Sequence, residues 1–135
     1  AQDQSMNSQV IIETVSFFTD ARGWVIEPIG EKQIPAQHNC HVALTEPGAI
    51  RGNHFHRHSS EIFVMMGPGL VRLRENGVIR DVNVPDGQAM RFSVPPTVSH
   101  AMKNTGPRPM LLMAFSTAPH DPASPDTHRD ILIES

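Results

Sequence analysis

The chain has 135 residues, 14 acidic side chains against 11 Lys or Arg, and a formal net charge of -3, which fits one domain of ordinary size and gives no electrostatic footprint for nucleic acid. Its single cysteine, Cys40, excludes an internal disulfide, and no apolar run approaches the ~20 residues that a membrane helix needs. Eight histidines and no tyrosine close off phenolic acid catalysis and open imidazole and metal chemistry.

Residues 1–9 are polar and without period, and read as a disordered lead or an added leader, with Met6 a candidate native start. A charged n-region and an apolar h-region are both missing, although a mature end left by signal cleavage stays open; a cytoplasmic location is expected. The domain proper is expected over 10–135. From Val10 onward the pattern predicts short strands at 10–15, 24–26, 40–44, 62–66, 70–74, 78–84, 89–94, 98–102, 109–115 and 130–133. Pro and Gly punctuate them, and Asn76-Gly77 between two alternating runs predicts a two-residue hairpin, because both positions tolerate positive φ. No Pro-free stretch holds a long 3.6-residue apolar stripe. The reading is an all-β sandwich or barrel. The tail from His120 to Asp126 is Pro-rich and polar and is expected to run extended over the surface.

The segment from Gly48 to Glu61 carries the most chemistry. On a strand, His54 and His56 project to one face while Phe55 goes to the other. If 57–60 is a turn, Glu61 returns beside the pair. His100 supplies a third imidazole from a later strand. Three imidazoles and a carboxylate suit a divalent transition metal, and ligand type does not choose among Zn, Fe, Mn, Ni and Co; zinc is the first expectation. His58 reads as solvated, His41 as a strand residue outside the ligand set, and His120 and His128 as surface groups. The methionines read as adaptable interior filling.

These residues resemble the first cupin motif, with Gly48, His54, His56 and Glu61 at its spacing, and the second, with Pro95, His100 and Asn104. Thr97 stands where that second motif usually has glycine. The resemblance implies a single-domain cupin, a double-stranded β-helix or jelly-roll barrel, with a metal at its mouth. The stretch Phe18 to Glu27 and the run Arg51-Gly52-Asn53-His54 are similar to segments of the dTDP-4-dehydrorhamnose 3,5-epimerases. The stretch from Arg51 to His56 and the tail around Asp121-Pro122 and Pro125-Asp126-Thr127 also resemble the metal-binding C-terminal cupin domain of capsular-polysaccharide sugar-nucleotide enzymes. The rhamnose-type epimerases use a Tyr acid and no metal. This chain has no Tyr, so the capsular type is the better guide.

The resemblance implies a nucleotide-sugar substrate, Arg22, Glu27 and Arg51 as nucleotide contacts, and a homodimer. It suggests an epimerase or isomerase of polysaccharide biosynthesis that takes a proton from carbon beside a ketone. His54, His41 and Lys103 are the catalytic candidates, with a hydroxide on the metal as a further base. Two alternatives stand beside it: a metal-dependent oxygenase or lyase, with Met65, Met90, Phe92, Val94 and Met102 forming an apolar pocket, and a non-catalytic sugar-binding cupin.

Overall fold

The computed structural model describes residues 8–135. Of the expected lead, 1–7 lies outside the described residues, whereas Ser8 caps the Val10 amide (3.1 Å) and the Gln9 amide donates to Glu75 (2.8 Å). Among the described residues there are twelve strands: β1 Ile11–Val15, β2 Phe18–Asp20, β3 Gly23–Val25, β4 Asn39–Thr45, β5 Ile50–Phe55, β6 Glu61–Met66, β7 Gly69–Glu75, β8 Val78–Val84, β9 Ala89–Val94, β10 Ser99–Asn104, β11 Met110–Ser116 and β12 His128–Arg129, and a 3-10 turn at Ile34–Ala36. No α-helix occurs among the described residues, so none is long and apolar enough to cross a membrane.

The strands form two five-stranded antiparallel sheets, β1-β9-β6-β11-β4 and β12-β5-β10-β7-β8, and β2 and β3 make a separate hairpin. From β4 to β11 the chain changes sheet at every connection except the β7–β8 hairpin, which is the jelly-roll path. That hairpin has the expected two-residue turn: Asn76 (φ 53) and Gly77 (φ 77) are both left-handed, and Glu75 pairs with Val78. No ladder joins the two sheets among the described residues, so the roll is two facing layers and not a hydrogen-bonded closed barrel.

The core lies between the layers. β6 is the middle strand of its sheet, and all six of its residues are buried. Phe63 stacks on Phe92 at 4.8 Å, and both are fully buried. Burying one such ring is worth roughly 1.5–3 kcal/mol. Met65 and Phe92 are packed in this core, and the structure corrects the expectation that the five named residues share one apolar pocket: Met102 lines the cavity beside His54 and Val94 a separate, smaller one, and Met65, Met90 and Phe92 line neither. Close packing between facing sheets leaves Met65 and Phe92 no void.

The C-terminal segment also departs from expectation. Pairing occurs at β12, against β5, and not over 130–133. Asn53 takes over there: its Oδ1 accepts from the Leu132 and Ile133 amides and its Nδ2 donates to the Ile133 carbonyl (2.9, 3.0 and 3.0 Å). A side chain thus replaces the ladder, and Leu132 and Ile133 bury against Ala101 on the outer face of β10.

Candidate metal centre

Two consecutive left-handed residues, Gly52 (φ 83) and Asn53 (φ 58), interrupt β5. Ala101 pairs with Gly52 and His100 with His54, which leaves Asn53 as the extra residue of a β-bulge. A Cβ at Gly52 would lie 2.7 Å from the His100 carbonyl oxygen. Glycine therefore lets the two backbones approach here. The result sets the His54 and His100 rings edge to face at 4.7 Å. His56 follows one residue beyond β5, the turn 57–60 crosses between sheets, and Glu61 opens β6. Middle strands of both sheets, β6 and β10, thus each deliver one ligand candidate.

Donor atoms of His54, His56, Glu61 and His100 all lie within 4.8 Å of one another. Glu61 Oε2 gathers the three imidazole Nε2 atoms at 3.9, 2.6 and 3.1 Å, for His54, His56 and His100 respectively. Glu61 is 8% exposed and His100 is fully buried. Burial works against the Glu61 carboxylate, but contacts from the three imidazoles outweigh it and hold the carboxyl well below its ordinary range. Burial likewise opposes a charged His56, yet Glu61 and the Asp126 carbonyl raise it above the usual histidine value.

This donor set fits a cation. His56 presents Nδ1 to the Asp126 carbonyl (2.7 Å) and Nε2 to Glu61; His100 presents Nδ1 to the Val98 carbonyl (3.1 Å) and Nε2 to the same carboxylate. A neutral imidazole has one N–H, so two oxygen acceptors on one ring demand either a second proton or a metal ion at Nε2. With Nδ1 committed to a carbonyl in both rings, Nε2 is the free ligand atom.

The cluster opens on a cavity of about 640 Å³ lined by His54, His56 and Glu61, by His41, Ala43 and Asn39 of β4, by Arg51, and by the tail from Ala118 to Thr127. Arg51 bridges the sheets, donating from Nε to Thr45 Oγ1 and from Nη2 to the Leu44 carbonyl, both at 2.9 Å. His41 and Arg51 are thus brought to the site. Lys103 lies on the same strand as His100 but is not in the lining. Arg22, paired with Asp20 at 2.6 Å in the β2–β3 turn, and Glu27 are also outside it. His120 is exposed, as expected, and also lines the cavity, while His128 stacks on Phe55 at 5.2 Å. Sequence reasoning missed Asp126, whose carboxylate accepts from the backbone amides of Arg57, His58 and Ser59. Its signal was a run, Pro125-Asp126-Thr127, quoted only for family likeness.

Residues 18–128 match the family model described as "Polysaccharide biosynthesis C-terminal domain". No curated protein matches the sequence. Among solved structures the chain is similar to the capsular polysaccharide assembling protein CapF from Staphylococcus aureus, at 26% identity and a TM-score of 0.65, covering 87% of this chain and 33% of that one. It therefore spans about a third of the CapF length. QdtA, a sugar 3,4-ketoisomerase from Thermoanaerobacterium thermosaccharolyticum solved with TDP, is 17% identical, with a TM-score of 0.69 over 90% of this chain and 88% of that one. ChmJ, a 3'-monoepimerase from Streptomyces bikiniensis solved with dTDP-quinovose, is 17% identical, with a TM-score of 0.71 over 89% and 68%. The fold shared with these is the cupin roll.

Proposed function

The chain belongs to the polysaccharide biosynthesis C-terminal domain family, and from that premise we propose that it is a metal-dependent isomerase or epimerase acting beside the keto group of a nucleotide-linked sugar. One observation carries the reading: His54, His56, Glu61 and His100 converge at a cavity whose wall also holds His41 and Arg51. Those four residues would hold a divalent ion, zinc first among Zn, Fe, Mn, Ni and Co. When bound, such an ion supplies Lewis acidity toward a ketone oxygen as negative charge develops on it.

The remaining work falls to the chain. Removing a proton beside a ketone needs a base near the C–H. His41, on the cavity wall, takes that proton on a ring nitrogen and, in an isomerase, returns it on the same side to the neighbouring carbon; in an epimerase the opposite face takes its proton from water in the cavity and His41 gives its own back to solvent. Lys103 is the weaker candidate because it lies outside the lining. Arg51 has no carboxylate partner among the described residues, and its planar fork suits the diphosphate oxygens. Arg22 and Glu27 serve a neighbouring subunit's site in a homodimer, since neither reaches this chain's cavity.

The test is solvent deuterium uptake. Zinc-loaded protein in D2O should place deuterium beside the ketone of a 4-keto UDP- or dTDP-sugar, and His41→Ala should slow this ~100-fold or more. No uptake across the panel removes the isomerase reading. Oxygen consumption by iron-loaded protein would instead support an oxygenase on the same ligand set.

A further inference from the structure

The tail grips the turn that joins two of the metal-ligand candidates. Where it leaves β11, Thr117 Oγ1 accepts from the Ser60 amide (3.0 Å) and the Thr117 amide donates to the Ser60 carbonyl (3.1 Å). Nine residues later Asp126 closes on the other end of the same turn. Its Oδ1 accepts from the Arg57 amide (2.9 Å), and its Oδ2 accepts from the amides of His58 and Ser59 and from Ser59 Oγ (2.8, 3.0 and 3.2 Å). Its backbone carbonyl accepts from His56 Nδ1 at 2.7 Å. Between these two grips the tail walls the cavity through Pro119, His120, Asp121 and Pro125. One residue therefore fixes the His56 ring, sets the turn that spaces His56 from Glu61, and pins the substrate-facing wall.

We propose that Asp126 is a positioning residue for the metal centre, coupling closure of the cavity-forming tail to assembly of the His56 and Glu61 ligand pair. The proposal rests on the metal reading of this site. The coupling is reciprocal: a group that orients a ligand raises metal affinity, and the bound ion in turn strengthens docking of the tail.

The experiment compares Asp126→Ala and Asp126→Asn with Asp130→Ala, which cuts the tail's next anchor, at Ser99 and Arg74, without touching 56–61. Zinc affinity is measured by chelator competition on protein shown to be folded by circular dichroism. Asp126→Ala should weaken zinc binding ~10–100-fold, Asp126→Asn less, and Asp130→Ala under ~3-fold. Zinc should slow proteolysis within 118–125 in the wild type and not in Asp126→Ala. Unchanged zinc affinity in Asp126→Ala, or equal weakening in Asp130→Ala, overturns the proposal. If the wild type binds no zinc, the metal reading fails, and the His56 Nδ1–H resonance of the metal-free protein decides the positioning role. Slow exchange lost in Asp126→Ala supports that role, and slow exchange retained overturns it. Should Asp126→Ala not fold, the same readouts on Asp126→Asn decide, with no change in any of them overturning the proposal.

Discussion

Thr97 holds a φ of 74 while its amide donates to the His56 carbonyl at 2.6 Å. A β-branched residue in the left-handed region costs roughly 1–2 kcal/mol, part of which glycine gives back through its larger unfolded-state entropy. Thr97→Gly should therefore raise stability by about 0.5–1 kcal/mol in urea unfolding. The sequence marked this position as a departure from the cupin pattern, and the torsion supplies the reason glycine is usual there. Asp130 shows what sequence could not mark. Its carboxylate is held below the ordinary 3.8, first by the Ser99 hydroxyl and then, against burial, by Arg74. A depressed folded value means its stabilisation is fully present above about pH 4 and is lost as pH falls through the folded value. Asp130→Asn should lower stability by about 1 kcal/mol at neutral pH and flatten the acid limb below pH 4, read from thermal melts. An acid limb unchanged by Asp130→Asn would contradict this. Nothing local in Arg129-Asp130-Ile131 announces partners on β7 and β10, since both arise from tertiary placement.

At the level of the element, local chemistry and legibility go together. The β7–β8 hairpin was readable because the Asn76-Gly77 turn specifies its own torsions. β5 escaped the period-two reading, since Gly52 and Asn53 break the alternation at the bulge that aligns His54 with His100. The Arg-Gly-x-His likeness flagged the segment but not its geometry. Gly52→Ala tests that geometry: the added Cβ meets the His100 backbone oxygen at 2.7 Å and must adopt a positive φ. Loss of roughly 2–4 kcal/mol is expected in denaturant unfolding, with zinc affinity falling alongside. Near-neutral stability would show that the β5–β10 approach can relax.

For the whole molecule, the two-layer roll explains why four residues spread from 54 to 100 were recognisable as one site: strands adjacent in space carry them to one opening. The tail was the illegible part, because its Pro-rich composition says only that it cannot pair, not that it walls the cavity. The outer surface still exposes Phe18 (62%), Val25 (64%) and Val42 (61%), an apolar excess consistent with the homodimer proposed above. Sedimentation at micromolar concentration should give twice the chain mass, and a monomer would contradict that part. The proposed ion would be held by both sheets, through Glu61 on β6 and His100 on β10. Elemental analysis of protein purified without chelator tests it most directly, with wild type beside Glu61→Gln. About one divalent ion per wild-type chain, and nearly none in the variant, is the predicted result; a metal-free wild type, or a variant that keeps its ion, would contradict the account.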